Sequence, residues 1–111
     1  MTEQPSDVGL TKVGRVVEIP QGHCKVVTVH DKPIAVFNVQ GTFYAIYNKC
    51  PHEGGPLGEG RVKGHVVACP WHDLAFDIRS GQGTAGGGYC IGSYEVRVED
   101  ANIFIGPRRK A

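Results

Sequence analysis

The sequence predicts an all-β protein, an antiparallel sandwich or barrel that carries a small subdomain built from two loops. Short runs rich in Val, Ile, Phe and Tyr recur between turn residues, which is typical of small β-sandwiches and barrels. Apolar residues nowhere repeat with helical periodicity over three turns, so no helix of any length is expected. Residues 48–92 are rich in Gly and Pro and hold three of the four cysteines. Long loops of this kind usually carry function.

Strands follow one another along the whole chain. The β-branched run 25–29 comes after the turn Pro20-Gln21-Gly22, and only Gln40-Gly41 separates the next two strands, so these two should form a tight hairpin. The last two strands are joined at Asp100-Ala101, and a short helical turn near Glu18 is compatible with the pattern. The predicted strands are 13–19, 25–29, 34–39, 42–47, 66–69, 74–78, 94–99 and 102–105.

The composition fits a single globular domain. The chain has 111 residues, of which 41% are apolar and 21% charged, and this length can bury a workable core without disulfides. We expect a disordered lead over 1–8, one domain over 9–106 and a tail over 107–111. The basic run Arg108-Arg109-Lys110 is expected to be part of the solvated tail.

Charge and hydropathy exclude several classes of function. The formal net charge is +1, without the basic surplus of a nucleic-acid binder. No apolar run approaches the ~20 residues that cross a bilayer. The first ten residues have two acids, no basic residue and no apolar core, unlike a signal peptide. We therefore expect a cytoplasmic protein with no nucleic-acid or membrane partner, whose cysteines are ligands or thiols rather than disulfides.

Two Cys/His pairs stand out in the central segment. Cys50-Pro-His52 and Cys69-Pro-Trp-His72 have the spacing C-x-H, sixteen residues, C-x-x-H. Two thiolates and two imidazoles on two loops suit a metal centre. A Cys2His2 zinc finger would place both histidines on one helix, and a zinc ribbon would use C-x-x-C knuckles. The pattern favours a Rieske [2Fe–2S] cluster, in which two histidines replace two cysteines at one iron. A zinc site, a Cys–His nucleophile and four unrelated buried residues are the alternatives.

Over roughly residues 10–106 the chain resembles the soluble Rieske-type ferredoxins of low potential, such as those of dioxygenase systems. The segments that carry the resemblance are 50–57, 64–72, Phe76-Asp77 and Ser80-Gly81. It implies the Rieske fold, in which a basal antiparallel sandwich or barrel supports a cluster-binding subdomain, here at about 47–81.

The resemblance also implies the cofactor and its ligands. Cys50 and Cys69 would hold the inner iron of one [2Fe–2S] cluster per chain, and His52 and His72 the outer iron, near the surface. Asp73 follows the second histidine where the family usually has Gly. We interpret it as a turn residue; the alternative is that its carboxylate, beside a ligand, lowers the potential further.

Four further positions bear on the redox potential. High-potential relatives join their two loops by a disulfide, whose cysteines would fall at Gly55 and Trp71, and donate hydroxyl groups to the cluster from the positions of Leu74 and Phe76. None of the four residues here can do either. The resemblance therefore implies a midpoint potential at the low end of the Rieske range, roughly −150 mV.

The remaining cysteines and glycines have simpler interpretations. Cys24 and Cys90 are expected to be buried or half-buried thiols. Trp71 is expected to shield the cluster or to contact a partner. The glycine-rich loop 81–88 is expected to form a flexible cover, and the sequence gives its run Gly86-Gly87-Gly88 no specific role.

The expected function is one-electron transfer. By resemblance, the protein would take electrons from a flavin-dependent reductase and pass them to a terminal oxygenase, docking transiently near His52 and His72. It would be a monomer and would not be catalytic alone. The alternatives are a Rieske-type small subunit of a nitrite-reductase-like complex and, in another class, a zinc-stabilised interaction module.

Overall fold

The computed structural model describes residues 10–50, 54–71, 74–84 and 90–109, and an almost purely β architecture is seen there. The described helical pieces are two 3₁₀ turns, Val16–Glu18 and Leu57–Glu59. The all-β class is therefore confirmed. The strands are β1 (Thr11–Arg15), β2 (Cys24–Val29), β3 (Lys32–Val39), β4 (Thr42–Tyr47), β5 (Arg61–Lys63), β6 (Val66–Ala68), β7 (Ala75–Asp77), β8 (Ser93–Glu99) and β9 (Asn102–Arg108).

The strands form two antiparallel sheets. Six of them make a barrel-like base in the order β1-β9-β8-β4-β3-β2, whose edge strands β1 and β2 approach each other. The other three make a small sheet in the order β5-β6-β7. This small sheet lies within the segment predicted to bind the cluster. No helix of the described residues is long and apolar enough to cross a membrane.

The base is built from hairpins with two-residue turns. Gln40 and Gly41 join β3 to β4 with φ of 54° and 92°, and this pair of left-handed residues matches the right-handed twist of the strands. Asn38 supports the turn because its Oδ1 accepts the Gly41 N–H at 2.8 Å, while its Nδ2 donates to the Ile19 carbonyl at 2.7 Å. The predicted tight hairpin is confirmed.

The hairpin β3–β4 is buried on both faces, which explains its long apolar runs. Ile34 and Val36 of β3 point into a basal core, while Ala35 and Phe37 point into a second core on the side of the small sheet. We call this second set the loop-side core; its buried members are Ala35, Phe37, Val39, Ile46, Cys50, Leu57, Val67, Cys69, Phe76, Ile78 and Ile91. The central hairpin thus fixes the position of the loop region relative to the base.

The first strand is shorter than predicted. It ends at Arg15, which pairs with Asn102 at the start of β9, so β1 has no partner strand beyond that point. The chain instead makes the 3₁₀ turn Val16–Glu18, in which the Val16 carbonyl accepts the Ile19 N–H at 3.1 Å. The strand prediction for 16–19 was therefore wrong, and the helical turn near Glu18 is confirmed.

Other strands also differ from the prediction: β3 begins at Lys32 rather than at residue 34, and β2, β6, β7 and β8 each differ by one residue at one or both ends. Strand β5 was missed because only Val62 of its three residues is partly buried, between two exposed cations. Strand β9 continues through Arg108, which pairs with Tyr94, and the Arg109 N–H donates to the Ser93 carbonyl at 2.7 Å. The first two cations of the C-terminal basic run are thus tied to the sheet rather than to a solvated tail. The lead predicted over 1–8 lies outside the described residues.

Candidate metal centre

Each predicted cysteine ligand stands where a strand gives way to a loop. Cys50 follows β4 and Cys69 follows β6. The Cys50 N–H donates to the Gly55 carbonyl at 2.9 Å, and the Cys69 N–H donates to the Leu74 carbonyl at 2.7 Å. Both loops are therefore closed in the same way, from the cysteine to the fifth residue after it. Closure at the base holds each cysteine in place independently of what the rest of its loop does.

Both cysteine side chains are buried in the loop-side core. Cys50 is 2% exposed and Cys69 is 0% exposed, beside apolar side chains such as Leu57 and Phe76. Cysteine sulfurs are the ligands that hold the iron of [2Fe–2S] clusters, and a position shielded from water on the protein side is what the inner iron requires. The two cysteines therefore fit the inner, buried side of an iron–sulfur cluster.

Gly55 brings the two loops into contact. A Cβ atom built on Gly55 would lie 2.6 Å from Cys69 Sγ and 3.1 Å from Trp71 Cδ2. The first loop therefore passes directly over the sulfur of the second, at a distance that only glycine allows. The contact also places Gly55 next to Trp71, the two positions at which a disulfide would join the loops in high-potential relatives.

The outer side of the centre is only partly described. His52, His72 and Asp73 lie outside the described residues, as does the run Gly86–Gly88. Within the described ranges, no group of three or more His, Cys, Asp or Glu side chains is gathered as a metal site. Trp71 is described and is 59% exposed. Its ring covers the junction of the two loops at Gly55 and presents a large apolar surface to solvent.

Asn48 anchors the first loop and was not singled out from the sequence. It is 8% exposed, and its Oδ1 accepts the Gly58 N–H at 2.6 Å. Its own N–H donates to the Pro33 carbonyl at 2.9 Å. The bond to Gly58 holds the 3₁₀ turn whose Leu57 fills the loop-side core. A polar residue two positions before a ligand, at the end of a buried strand, is the signal that could have identified it.

Leu74 and Phe76 line the second loop as purely apolar groups. Leu74 is partly buried against the loop-side core, and its carbonyl closes the cysteine loop. Phe76 is 0% exposed on the central residue of β7, opposite Val67. Neither side chain has a donor.

The two other cysteines differ in exposure. Cys24 is half-buried as predicted, and desolvation raises the pKa of its thiol to about 12. Cys90 is exposed, so the prediction of a buried or half-buried thiol was wrong for it. Cys90 forms an isolated β-bridge with Gln82, and the following residue, Ile91, is the one whose side chain enters the loop-side core. Cys24 and Cys90 are not joined in a disulfide.

The chain is similar to proteins of known type. The sequence profile of the Rieske [2Fe-2S] domain family matches residues 9–88. The ferredoxin component of the naphthalene 1,2-dioxygenase system of Pseudomonas aeruginosa is 34% identical over 89 residues, which cover 79% of this chain and 86% of that protein.

Two solved structures resemble the fold. A chain in the complex of reduced oxygenase and oxidized ferredoxin in carbazole 1,9a-dioxygenase superposes with a TM-score of 0.84 at 28% identity, covering 93% of this chain and 97% of that one. The putative NADH-dependent nitrite reductase small subunit of Mycobacterium tuberculosis has a TM-score of 0.81 at 23% identity, covering 92% and 96%, a likeness of fold alone. These matches confirm the resemblance found in the sequence: the chain belongs to the Rieske [2Fe-2S] domain family.

Proposed function

We propose that this protein is a one-electron carrier that works through a Rieske [2Fe–2S] cluster. Cys50 and Cys69 would hold the inner iron, and His52 and His72 the outer iron. The observation that carries the proposal is the pair of buried cysteines, whose loops are closed identically and lie in contact at Gly55, within a chain of the Rieske family.

The chain's own residues give the centre its properties. When bound, the cluster supplies reversible one-electron oxidation and reduction. The buried cysteines and the apolar side chains around them keep water from the inner side. Two neutral imidazoles in place of two thiolates leave less negative charge at the site, which raises its potential above that of a four-cysteine ferredoxin. No further acid, base or nucleophile is needed for this role, so we infer that the chain is not catalytic alone.

The proposed partners are a flavin-dependent reductase as donor and a terminal oxygenase as acceptor. The similar ferredoxin of carbazole 1,9a-dioxygenase was solved in complex with its oxygenase. We infer transient docking near His52 and His72, where Trp71 offers an exposed apolar surface. We further infer a cytoplasmic monomer. A stable subunit of a nitrite-reductase-like complex is the second candidate, and its support is the likeness of fold.

The function is tested with anaerobically reconstituted protein. We expect a red-brown chain that is bleached by dithionite, is reduced by NADH with a flavoprotein reductase, and passes one electron per chain to an acceptor. A colourless protein that retains zinc would overturn the iron–sulfur assignment. Co-purification in fixed ratio with a large reductase would favour the subunit over the carrier.

We predict a low midpoint potential, roughly −150 mV and well below +100 mV. The double variant Leu74→Ser/Phe76→Tyr should raise it by an amount on the order of tens of millivolts, because new hydroxyl donors stabilise negative charge on the reduced centre. Film voltammetry measures both proteins. The control Leu74→Ala/Phe76→Leu changes side-chain size without adding a donor, and an equal rise in this control would contradict the explanation.

A further inference from the structure

A cleft of about 580 Å³ lies beside the first ligand loop. Its described lining includes Cys50 and Gly54 of the first ligand loop and the cations Lys32, Lys49 and Arg108. We call it the basic cleft. Cys50 is one of the proposed iron ligands, so a protein surface seated in this cleft would contact the wall of the metal centre.

The basic cleft carries positive charge that the described chain does not neutralise. Its described lining residues include three cations and no carboxylate. Lys32, Lys49 and Arg108 are all exposed, and the ion pairs found within the described ranges involve other cations, namely Lys25, Arg79 and Arg97. In a chain with a net charge of only +1, this is a local concentration of charge rather than a general excess.

Two other described clefts are electrically more balanced. Arg108 also lines a cleft of about 430 Å³ that contains Arg79 and Arg109, but Glu95 stands there too, and Arg79 is paired with Asp77 at 2.8 Å. Beside the other cysteine ligand, the cleft at Cys69 is lined by one Glu and one Arg. Among the described residues, unbalanced positive charge therefore lies in the basic cleft and in a smaller adjoining cleft that shares Cys90 and Arg108 with it and also contains Arg109.

The structure holds the cations of the basic cleft on fixed elements. Lys32 begins β3, Lys49 stands between the anchor Asn48 and the ligand Cys50, and Arg108 pairs with Tyr94 at the end of β9. The guanidinium Nε of Arg108 lies 3.1 Å from where a Cβ on Gly92 would be, so this side chain lies along the sheet surface. Partner binding then has to order only the side chains of these cations, since their backbone positions are set by the fold.

We propose that the basic cleft is the docking site for a redox partner whose own surface is acidic beside its redox centre. The inference rests on the proposed electron-transfer function and specifies the partner's surface. Opposite charges would steer the encounter and orient the partner toward the first ligand loop, which carries Cys50 and the proposed outer ligand His52, as electrostatic complementarity does in transient complexes. The C-terminal basic run thereby gains a role through Arg108.

The test compares two acceptor proteins in stopped-flow experiments at low ionic strength. The acceptors are an acidic blue-copper protein and a basic c-type cytochrome, both chosen to have higher midpoint potentials than the reduced protein. We expect faster reduction of the acidic acceptor, at a rate that falls as salt is added. The variant Lys32→Gln/Lys49→Gln should slow this reaction about three- to tenfold at low salt. The difference in rate between the variant and the unchanged protein should vanish near 0.5 M salt, where the Debye length is about 4 Å.

The control variant is Lys12→Gln/Lys63→Gln, which removes the same two charges from exposed positions outside the basic cleft. It should leave the preference for the acidic acceptor intact. The variants are compared by the ratio of the two acceptors' reduction rates, because any change in midpoint potential caused by losing Lys49 affects both rates. Equal loss of preference for the acidic acceptor in the two variants would overturn the proposal. So would a result in which Lys32 and Lys49 are needed to bind a duplex oligonucleotide but do not affect the ratio of rates for the two acceptors.

Cys90 gives a second, steric measurement. It is exposed and lines the basic cleft, while Cys24 is half-buried with a raised pKa, so a bulky maleimide should label Cys90 selectively in the holoprotein. The label adds no charge, and it should slow reduction of the acidic acceptor more than that of a small neutral quinone. If the quinone is not reduced, the electron-transfer function itself fails. If it is reduced and the labelled protein reacts normally with the acidic acceptor, only the docking site fails.

Discussion

Replacing Cys50 or Cys69 by alanine is expected to abolish the visible absorbance of the reconstituted protein. Each side chain is almost completely buried in the loop-side core, so no exogenous thiol can easily take its place. Iron content per chain and the absorbance spectrum measure the loss. We expect essentially no retained cluster in either variant, because an inner iron that lacks one thiolate is left with an unsatisfied coordination position in an apolar setting.

The chain supplies its own controls for this experiment. Cys24→Ala and Cys90→Ala each remove a thiol without touching either ligand loop, one from a half-buried and one from an exposed position. Both should keep full colour and iron content. Loss of colour in Cys24→Ala or Cys90→Ala equal to that in Cys69→Ala would contradict the ligand assignment, since it would make the effect a property of any cysteine in the chain.

Part of this architecture could be predicted from the sequence because its causes are local. Turn residues such as Gln40-Gly41 and alternating runs such as β8 determine strands and hairpins through nearby backbone preferences. The bounds of β1 could not be predicted, because Arg15 ends the strand where the neighbouring strand β9, far away in the sequence, begins at Asn102. Strand β5 has too few residues to show a period.

The candidate site, like the fold, could be predicted from the sequence only where its causes are local. Their spacing indicates the ligand types, because a [2Fe–2S] centre with two Cys and two His has a recognisable arrangement. The exposure of Cys90, the anchor Asn48 and the basic cleft depend on contacts between segments far apart in the chain. For example, Arg108 and Lys49 line one cleft only because the end of β9 and the end of β4 both pair with the start of β8 and so lie at the same end of the sheet. Such proximity leaves no periodic signal in the sequence.

Gly55→Ala is expected to destabilise the cluster, although Gly55 is not itself one of the proposed ligands. The new methyl group would lie 2.6 Å from Cys69 Sγ, closer than atoms of this kind can approach, so either the sulfur or the first loop must move. Overpacking in a dense interior costs about 1–3 kcal/mol. Because this cost falls on the form with the cluster bound, it corresponds to a rise of about 5- to 150-fold in the rate of cluster loss. The decay of visible absorbance in the presence of an iron chelator measures that rate.

Two companion variants separate the sulfur contact from other causes. Gly54→Ala changes the preceding residue, which has φ of 78° and open space around it; it should lower the free energy of unfolding by about 1–2 kcal/mol through backbone strain while leaving the rate of cluster loss nearly unchanged. Trp71→Ala removes the other neighbour of Gly55, and combining it with Gly55→Ala should give no rescue, because the closer contact is with the sulfur. Rescue by Trp71→Ala would show instead that the tryptophan ring, and not Cys69, sets the limit on this position.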